Sequence, residues 1–440
     1  MRTMFNLRDG LMNPNLREML VGAITGLGVK ILSAISIFVM NLVVARSLGA
    51  AQAGLFFLGF TLVTIAAAVA RLGLDQSVVR FIAAQQAMQD IGGLHSVYRK
   101  SVTWVAIASI AIAVCGWAGA DWLVDNFFDQ PGFKPVLQSF LLAIPLVALY
   151  TLQAQALQGL KRIAKSMITL NVAAPVLVLV LILLVPVQSA QALTVYFNIA
   201  AGLTLALGVL FWLQSAPDRK PGGNFSSQIL RKTCLPLWVV AILSQAVQWS
   251  SQIMLGAWSS AENVAFFATA QRTAMLTSFV LFAVNAIAAP KFAAMHAQGD
   301  LEGLKRTAIV SVRLMLLAAI PALALMLVFP QWVMSFFGEE FRAASTALVI
   351  LAMGQFVNIA TGSVGYLLSM TGHERAVGNN AMVSALIGIG LGWALIPAYG
   401  LLGASIATAI AIASQNLLCA YQVRKKLGFN TLIFWQQIKS

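Results

Sequence analysis

Long apolar segments separated by short polar turns dominate this chain. Runs of about 20 nearly uncharged residues are long enough to cross a bilayer as helices. The pattern therefore predicts an all-α integral membrane protein with about 12 transmembrane helices. Their apolar cores lie at about 20–28 (extending to about 45), 50–73, 101–120, 136–158, 167–186, 191–214, 233–257, 263–289, 307–329, 343–368, 376–396 and 398–422.

Much of the chain is written twice. The stretch from Asn41 to Leu94 aligns without a gap with Ser251 to Leu304, an offset of about 210 residues that pairs Asp90 with Asp300. We call residues paired by this offset sister positions. A repeat of half the chain predicts two six-helix lobes in the same orientation around a central cavity.

The predicted lobes are residues 1–214 and 229–424. A cytoplasmic linker, 215–228, joins them, and 425–440 form a cytoplasmic tail. The linker sequence PDRKPGGN is suited to joining lobes that move, and an ordinary surface loop explains it equally well.

Composition supports a membrane protein. Hydrophobic residues make up 60% of the chain and charged residues 10%, and the mean hydropathy is +0.85. So few charges could not cover the surface of a soluble protein.

The net charge of +14 does not indicate nucleic acid, because the basic residues gather in turns on one side. With both termini cytoplasmic, about 20 Lys and Arg lie on that side, against Arg46, Lys134 and Arg342 on the other. This asymmetry predicts a multi-pass inner-membrane protein.

Catalytic and metal motifs are missing from the sequence. Cys115, Cys234 and Cys419 are far apart, which argues against a disulfide framework and a metal site. The histidines lie in predicted cytoplasmic turns without metal-like or triad-like neighbours, and there is no P-loop. We therefore expect no cofactor and no enzymatic activity.

Two motifs carry a family resemblance. ARSLGAAQAG (Ala45–Gly54) and RLGLDQSVVRFIA (Arg71–Ala83) resemble the turn between helices one and two, and the cytoplasmic end of helix two, in one family of transporters. That family is the polysaccharide-transporter branch of the multidrug/oligosaccharidyl-lipid/polysaccharide exporter superfamily. Length, span number, duplication and linker position are also similar.

The resemblance implies a flippase for undecaprenyl-diphosphate-linked oligosaccharide in O-antigen, capsule or exopolysaccharide assembly. The partners it implies are this substrate, membrane lipids, and polysaccharide polymerase and chain-length proteins. In one respect the chain departs from its relatives, which often carry an acidic residue in helix seven where this chain has Ser251. A proton carried there in relatives would need another site here.

Two cations fall near the predicted membrane midplane. Lys30 lies about 12 residues, or roughly 18 Å, into helix one, and Arg272 about 10 residues into helix eight. A charge at that depth costs about 2.5–3.5 kcal/mol on insertion scales, so each needs a reason. Both are predicted to bind an anionic substrate; snorkelling or pairing between helices is the alternative for Lys30. The sister of Arg272 is Leu62, which favours a substrate role over a structural one.

Helix seven carries a polar stripe of Gln245, Gln248 and Gln252 on one face. Amides there suit a sugar, and they suit hydrogen bonds between helices equally well. Asn41, the sister of Ser251, is predicted to face the same cavity.

A second group of charges is predicted at helix ends. Arg71 and Asp75 are four residues apart and can pair. A structural pair is the favoured interpretation. The alternative is a cytoplasmic gate or coupling site that includes Arg80, in which Arg71 releases the diphosphate as Asp75 takes its charge or a proton. Arg46 in the outer turn is predicted to hold a helix end rather than line an exit.

Two other functions are compatible with a polytopic membrane protein. A cation-coupled multidrug exporter of the same superfamily would need acidic groups, whereas the intramembrane excess is basic: Lys30, Arg71, Arg80, Arg272 and Arg313 against Asp75. A membrane polysaccharide polymerase or ligase would need a large outer loop, and the predicted outer turns are short.

Overall fold

The computed structural model describes residues 14–130, 132–218, 223 and 225–432, with backbone alone for 14–27 and for a few positions inside helices. The basic residues before Pro14, linker residues 219–222 and 224, and tail residues 433–440 lie outside the described residues.

Helices make up almost all of the described chain, which contains no strand. The α-helices are α1 (Pro14–Ala70), α2 (Leu74–Ala87), α3 (Ile91–Ala118), α4 (Ala120–Leu123), α5 (Phe133–Leu141), α6 (Ala143–Gly159), α7 (Ile163–Met167), α8 (Ala173–Leu184), α9 (Ala190–Ser215), α10 (Ser227–Trp258), α11 (Ala261–Met275), α12 (Phe279–Ala297), α13 (Leu301–Val328), α14 (Pro330–Ser335), α15 (Ser345–Thr361), α16 (Val364–Met370) and α17 (Glu374–Leu427). Short π-helical turns lie at Val124–Phe128 and Ile168–Val172, and 3₁₀ turns at Leu276–Ser278 and Glu339–Ala344.

Within the described residues, eight helices are long and apolar enough to cross a membrane, or up to ten if each of two bent pairs is one span. Two of these segments are themselves two helices joined at a kink, at Gly49 in α1 and at Gly400 in α17. The 54 residues of α17 would extend about 81 Å if straight, far more than a hydrocarbon core of about 30 Å. The all-α membrane fold is confirmed, and the count of 12 spans in two lobes stays a prediction.

The sequence repeat is visible in two sister helices. α3 and α13 each have 28 residues, and each begins after an aspartate, Asp90 or Asp300. Each aspartate accepts a hydrogen bond at 2.8 Å from the N–H of a glycine three residues later, Gly93 or Gly303. Each cap satisfies an N–H that the first helical turn leaves without a partner.

The chain divides into two compact units. Unit 1 comprises Met1–Asn41, Gly59–Asn126 and Pro131–Ala246; unit 2 comprises Leu42–Leu58, Phe127–Gln130 and Val247–Ser440. Each unit therefore includes short pieces of the other predicted lobe. The lobe boundaries at 214 and 229 stay a prediction.

Unit 1 is held together by aromatic packing. The Phe197 ring lies edge-on to Phe60 at 5.5 Å and 5.6 Å from Phe140. Tyr98 stacks on Trp212 at 3.9 Å and shares a hydrogen bond with Gln153. The stacked pair buries large apolar area while the tyrosine hydroxyl keeps a polar partner.

The described part of the linker lies against unit 1. Phe225 accepts a hydrogen bond from Lys100 Nζ at 2.6 Å through its carbonyl, and its N–H donates to Ser96 Oγ at 3.2 Å. Its ring packs 4.8 Å from the Phe81 ring. These contacts anchor this part of the linker.

Unit 2 has a core built from sequence-distant helices. Phe292, Leu304, Leu368 and Val423 belong to one cluster, and each is fully buried.

Other large apolar side chains point outward in both units, among them Leu183, Leu213 and Leu317 at 70% exposure or more. Such outward leucines fit a surface solvated by lipid.

The second sequence motif, Arg71–Ala83, resembles the cytoplasmic end of helix two, but in the structure it begins with a break between two helices. α1 stops at Ala70, and Leu72 and Gly73 have positive φ values of 52° and 73° before α2 begins. A side chain at Gly73 would collide with the backbone of Cys234 and Trp238. Glycine there permits both the left-handed turn and the close approach of α10.

Candidate functional site

A cavity of about 560 Å³ lies within unit 2. It is surrounded by the second part of α10, by α11, α15 and α17, and by the 3₁₀ turn at Leu276–Ser278. Twenty residues line it: Gln248, Trp249, Ser250, Ser251, Gln271, Arg272, Ala274, Met275, Ser278, Leu351, Gln355, Asn358, Ser384, Ala385, Gly388, Thr408, Ala411, Ile412, Gln415 and Asn416.

Arg272 is the charged member of this lining, and no carboxylate is among the twenty residues. It is the twelfth residue of α11, roughly 16 Å along the helix from Ala261. Its guanidinium carbon lies 4.4 Å from the centroid of the Phe57 ring, a cation–π contact. The ring therefore orients a cation at the cavity wall.

Hydroxyl and amide groups make the rest of the lining polar. Ser278 Oγ donates to Gln355 Oε1 at 2.7 Å, and Asn358 Nδ2 donates to the same oxygen at 3.1 Å. Thr408 Oγ1 donates to Ser251 Oγ at 2.9 Å, which joins α17 to α10. These bonds hold the polar groups in fixed positions around the cavity.

Ser384 adds a buried hydroxyl to the lining. Its Oγ has no hydrogen-bond partner among the described atoms, and the residue is 3% exposed. An unpaired buried hydroxyl costs free energy, so a ligand or water that pairs with it would be favoured.

The predicted polar stripe of helix seven divides between two roles. Gln248 lines the cavity, whereas Gln252 is 2% exposed and donates its Nε2 to the Phe57 carbonyl at 3.1 Å. Gln245 is not part of the lining. Substrate contact by Gln245 and Gln252 stays a prediction.

Asn41 and Lys30 both lie on α1 in unit 1. Asn41 is 1% exposed and donates its Nδ2 to Ile37 in its own helix at 2.6 Å. Neither residue lines the cavity in unit 2. The Lys30 side chain is exposed, and its role in binding stays a prediction.

Arg71 and Asp75 form the predicted pair. Arg71 Nε donates to Asp75 Oδ1 at 2.7 Å, and their side chains are 11% and 25% exposed. Arg71 lies just outside α1 rather than within helix two. Arg80 is exposed, with its guanidinium carbon 5.8 Å from the Phe81 ring centroid, and Arg46 is exposed on α1 before the Gly49 kink.

Metal binding finds no support in the part of the chain that is described. No group of three or more His, Cys, Asp or Glu side chains there could hold an ion. All three cysteines are free, Cys115 exposed and Cys234 and Cys419 buried.

Models of known protein families match most of the chain. The family model described as "polysaccharide biosynthesis protein" matches residues 19–296, more than half of the sequence. The chain belongs to the polysaccharide biosynthesis protein family. A second model, MatE, matches residues 236–394. The superfamily indicated by the two sequence motifs is confirmed.

Individual relatives agree with this family assignment. The chain is 24% identical to the probable low-salt glycan biosynthesis flippase Agl15 of Haloferax volcanii over 383 residues, which cover 86% of this chain and 77% of Agl15. It has a TM-score of 0.73, with 18% identity, to an inward-facing multidrug resistance MATE family transporter of the MOP superfamily, covering 92% of this chain and 98% of the other. It also has a TM-score of 0.73, with 12% identity, to the lipid II flippase MurJ in an inward closed conformation, covering 92% and 87%. These structural likenesses establish a shared fold.

Several residues that line the unit 2 cavity were not predicted from the sequence. Gln355 and Asn358 lie one turn apart in the apolar helix α15, and Gln415 and Asn416 are adjacent in the apolar helix α17. Amides inside apolar spans are costly and mark interior positions, so they carried a usable signal.

Proposed function

We propose that this chain is a flippase that moves undecaprenyl-diphosphate-linked oligosaccharide across the inner membrane by alternating access, and that it is not an enzyme. The translocated glycan would serve surface polysaccharide assembly: O-antigen, capsule or exopolysaccharide. The observation that carries the proposal is the unit 2 cavity, whose twenty lining residues include one cation and no carboxylate.

The chemistry of the lining suits an anionic sugar carrier. A planar guanidinium binds phosphate oxygens through paired hydrogen bonds, so Arg272 would bind the diphosphate. Side-chain amides such as Gln248 and Asn358 donate to and accept from sugar hydroxyls, and the Trp249 ring offers a flat face to a sugar ring. Lipid would accommodate the prenyl tail.

The remaining expectations are part of this proposal. Lys30 would also contact the anionic substrate during transport, and both termini would face the cytoplasm. Polysaccharide polymerase and chain-length proteins would act on the translocated product. The Agl15 and MurJ relatives, a glycan biosynthesis flippase and a lipid II flippase by description, support a substrate of this class.

A multidrug exporter is the second candidate, since the MatE model matches residues 236–394 and a MATE transporter shares the fold. Such an exporter would carry cations, and a desolvated cationic drug requires a carboxylate. Because the unit 2 lining supplies an arginine instead, it disfavours this candidate. A polysaccharide polymerase or ligase finds no comparable support.

Reconstituted vesicles would test the proposal. The purified protein is placed in liposomes with a fluorescent undecaprenyl-diphosphate oligosaccharide, and translocation is followed with an impermeant quencher. We expect Arg272→Ala to slow translocation at least about tenfold, which corresponds to about 1.4 kcal/mol of activation free energy. Arg313→Ala on α13, a cation outside the cavity lining, is the matched control and should keep the wild-type rate.

The outcomes separate the two candidates. Equal translocation by the wild type and Arg272→Ala would reject the site. Absence of translocation, together with energy-dependent efflux of a cation such as ethidium, would favour the exporter.

A further inference from the structure

Two sister side chains, Gln130 and Glu340, make a reciprocal set of contacts in unit 2. They occupy matching places in the two copies of the repeat, each in a turn assigned to the outer side. Each binds the helix-joining turn that belongs to the other copy: Glu340 binds at Ala50, and Gln130 binds at Gly256–Ala261.

Glu340 completes the start of a helix. The backbone at Gly49 is non-helical (φ 70°, ψ 171°), so the second part of α1 begins afresh at Ala50, which has no side chain able to cap it. Glu340 Oε1 accepts the Ala50 N–H at 2.7 Å. A carboxylate at a helix N-terminus satisfies a free N–H and interacts favourably with the helix dipole.

Gln130 makes hydrogen bonds at the corresponding turn between α10 and α11. Its Nε2 donates to the Ser259 carbonyl at 2.6 Å and to the Gly256 carbonyl at 3.3 Å. Its Oε1 accepts the Ala261 N–H at 3.1 Å. One amide thus satisfies the end of one helix and the beginning of the next.

The turns held in this way pack directly on each other. Gly54 lies against the Ala261 backbone so closely that an added Cβ would overlap the Ala261 carbonyl. The Leu58 side chain, one turn further along the same helix, is completely buried and packs against Gly256. Separation of these turns would expose Leu58, and the side chains of Gln130 and Glu340 resist that separation.

We propose that Gln130 and Glu340 are paired latches that keep the outer side of the protein closed, and that both must release before the transported group can leave outward. The proposal rests on the transport function above. The bonds suit a switch because each joins a side chain to backbone groups that water can satisfy when the turns separate. The repeat explains why there are two: the same position faces the partner turn in each copy.

Thiol accessibility tests the latches without measuring transport. In a variant whose three native cysteines are replaced, a cysteine introduced by Leu58→Cys is treated with a membrane-impermeant maleimide, in intact cells and in inverted vesicles. With both latches present we expect slow labelling from either side. Glu340→Ala or Gln130→Ala should raise the rate from the outer side about tenfold, and the double variant about a hundredfold if the two latches act independently.

Neighbouring residues provide matched controls. Glu339→Ala removes an adjacent carboxylate whose partner is Arg342, and Asn126→Ala removes an exposed amide that bonds one turn back, to the Trp122 carbonyl. Neither should raise labelling. Glu340→Gln keeps an acceptor oxygen and should return the rate to within about threefold of the wild type, whereas general loss of fold would persist in that variant.

Two results would overturn the proposal: double-variant labelling no faster than in the controls, or an equal rise in Glu339→Ala. Because maleimide labelling does not report translocation of the glycolipid, its failure leaves the transport proposal standing. Conversely, an unchanged translocation rate in Arg272→Ala would not affect this assay.

Discussion

The guanidinium of Arg272 rests on the face of Phe57, a ring that is completely buried, at 4.4 Å from carbon to centroid. The Phe57 carbonyl in turn accepts a hydrogen bond from Gln252. The cation of the cavity wall is therefore oriented by the segment Leu42–Leu58, which belongs to the same unit. A cation–π contact of this kind contributes about 0.5–2 kcal/mol.

Replacing the ring tests whether it acts through the arginine. We expect Phe57→Leu to slow translocation about three- to tenfold, because the guanidinium loses its preferred orientation. The double variant Phe57→Leu/Arg272→Ala should be no slower than Arg272→Ala alone, since coupled residues are not additive. The measurement is the vesicle translocation rate.

The repeat supplies the control for this cycle. Phe267 is the sister of Phe57 and is 1% exposed, so Phe267→Leu removes a similar buried ring. It should lower thermal stability as much as Phe57→Leu does while translocation per folded protein stays at the wild-type value. Additive losses in the double variant would show that Phe57 acts independently of Arg272.

The Arg71–Asp75 pair leads to a stability prediction. Arg71 is 9% exposed, and Asp75→Asn would leave its guanidinium buried without an opposite charge. We expect a loss of about 3 kcal/mol, measured as a lower midpoint of thermal unfolding in detergent. Arg71→Met/Asp75→Leu, which removes both charges, should recover most of the loss.

The same variants decide between structural pair and gate. If the Asp75→Asn variant keeps wild-type stability but its rate of translocation no longer depends on a proton gradient, the carboxylate is a coupling group. The structural interpretation would then be wrong.

A feature of the fold or the site could be predicted where the type of a single residue, or a run of residues, indicates it directly. Apolar runs longer than a bilayer allow one outcome, so the all-α membrane fold followed from the sequence. Arg272 was found because a charge in an apolar helix is costly. Its partner Phe57 was not, because an aromatic residue in a membrane helix is ordinary and only the fold brings the two together.

Local breaks in the helices were harder to foresee. The turn at Leu72 and Gly73 depends on the backbone of α10 passing close by, at Cys234 and Trp238, which are far from Gly73 in the sequence. Likewise, Gln130 and Glu340 lie in polar turns where amides and carboxylates are common. Their reciprocal bonds appear only when the two copies of the repeat are compared in three dimensions.

The repeat also predicts where a substitution should stabilise the protein. Gln89 and Gly299 are sister positions immediately before the capping aspartates, and both are left-handed, with φ of 57° and 74°. A side chain with a Cβ is disfavoured there by about 1 kcal/mol. We therefore expect Gln89→Gly to stabilise and Gly299→Ala to destabilise by about 1 kcal/mol each, measured by thermal unfolding. Changes of the same sign would contradict the repeat argument.

The two capping aspartates provide the sharpest comparison. Asp90 and Asp300 make bonds of the same length, 2.8 Å, to Gly93 and Gly303. Their surroundings differ: Gly223 of the linker lies against the Asp90 cap, whereas the Asp300 cap is open to solvent. When a cap is lost, water can replace it only where it has access.

Asp300→Ala should therefore cost about 0.5–1 kcal/mol, in the usual range for an exposed cap. Asp90→Ala should cost about 2 kcal/mol or more, because the Gly93 N–H beneath the linker would stay without a partner. Asparagine keeps the acceptor, so Asp90→Asn should recover most of the difference. Equal losses for the two alanine variants in thermal unfolding would mean that the linker does not shield the cap in the membrane-bound protein.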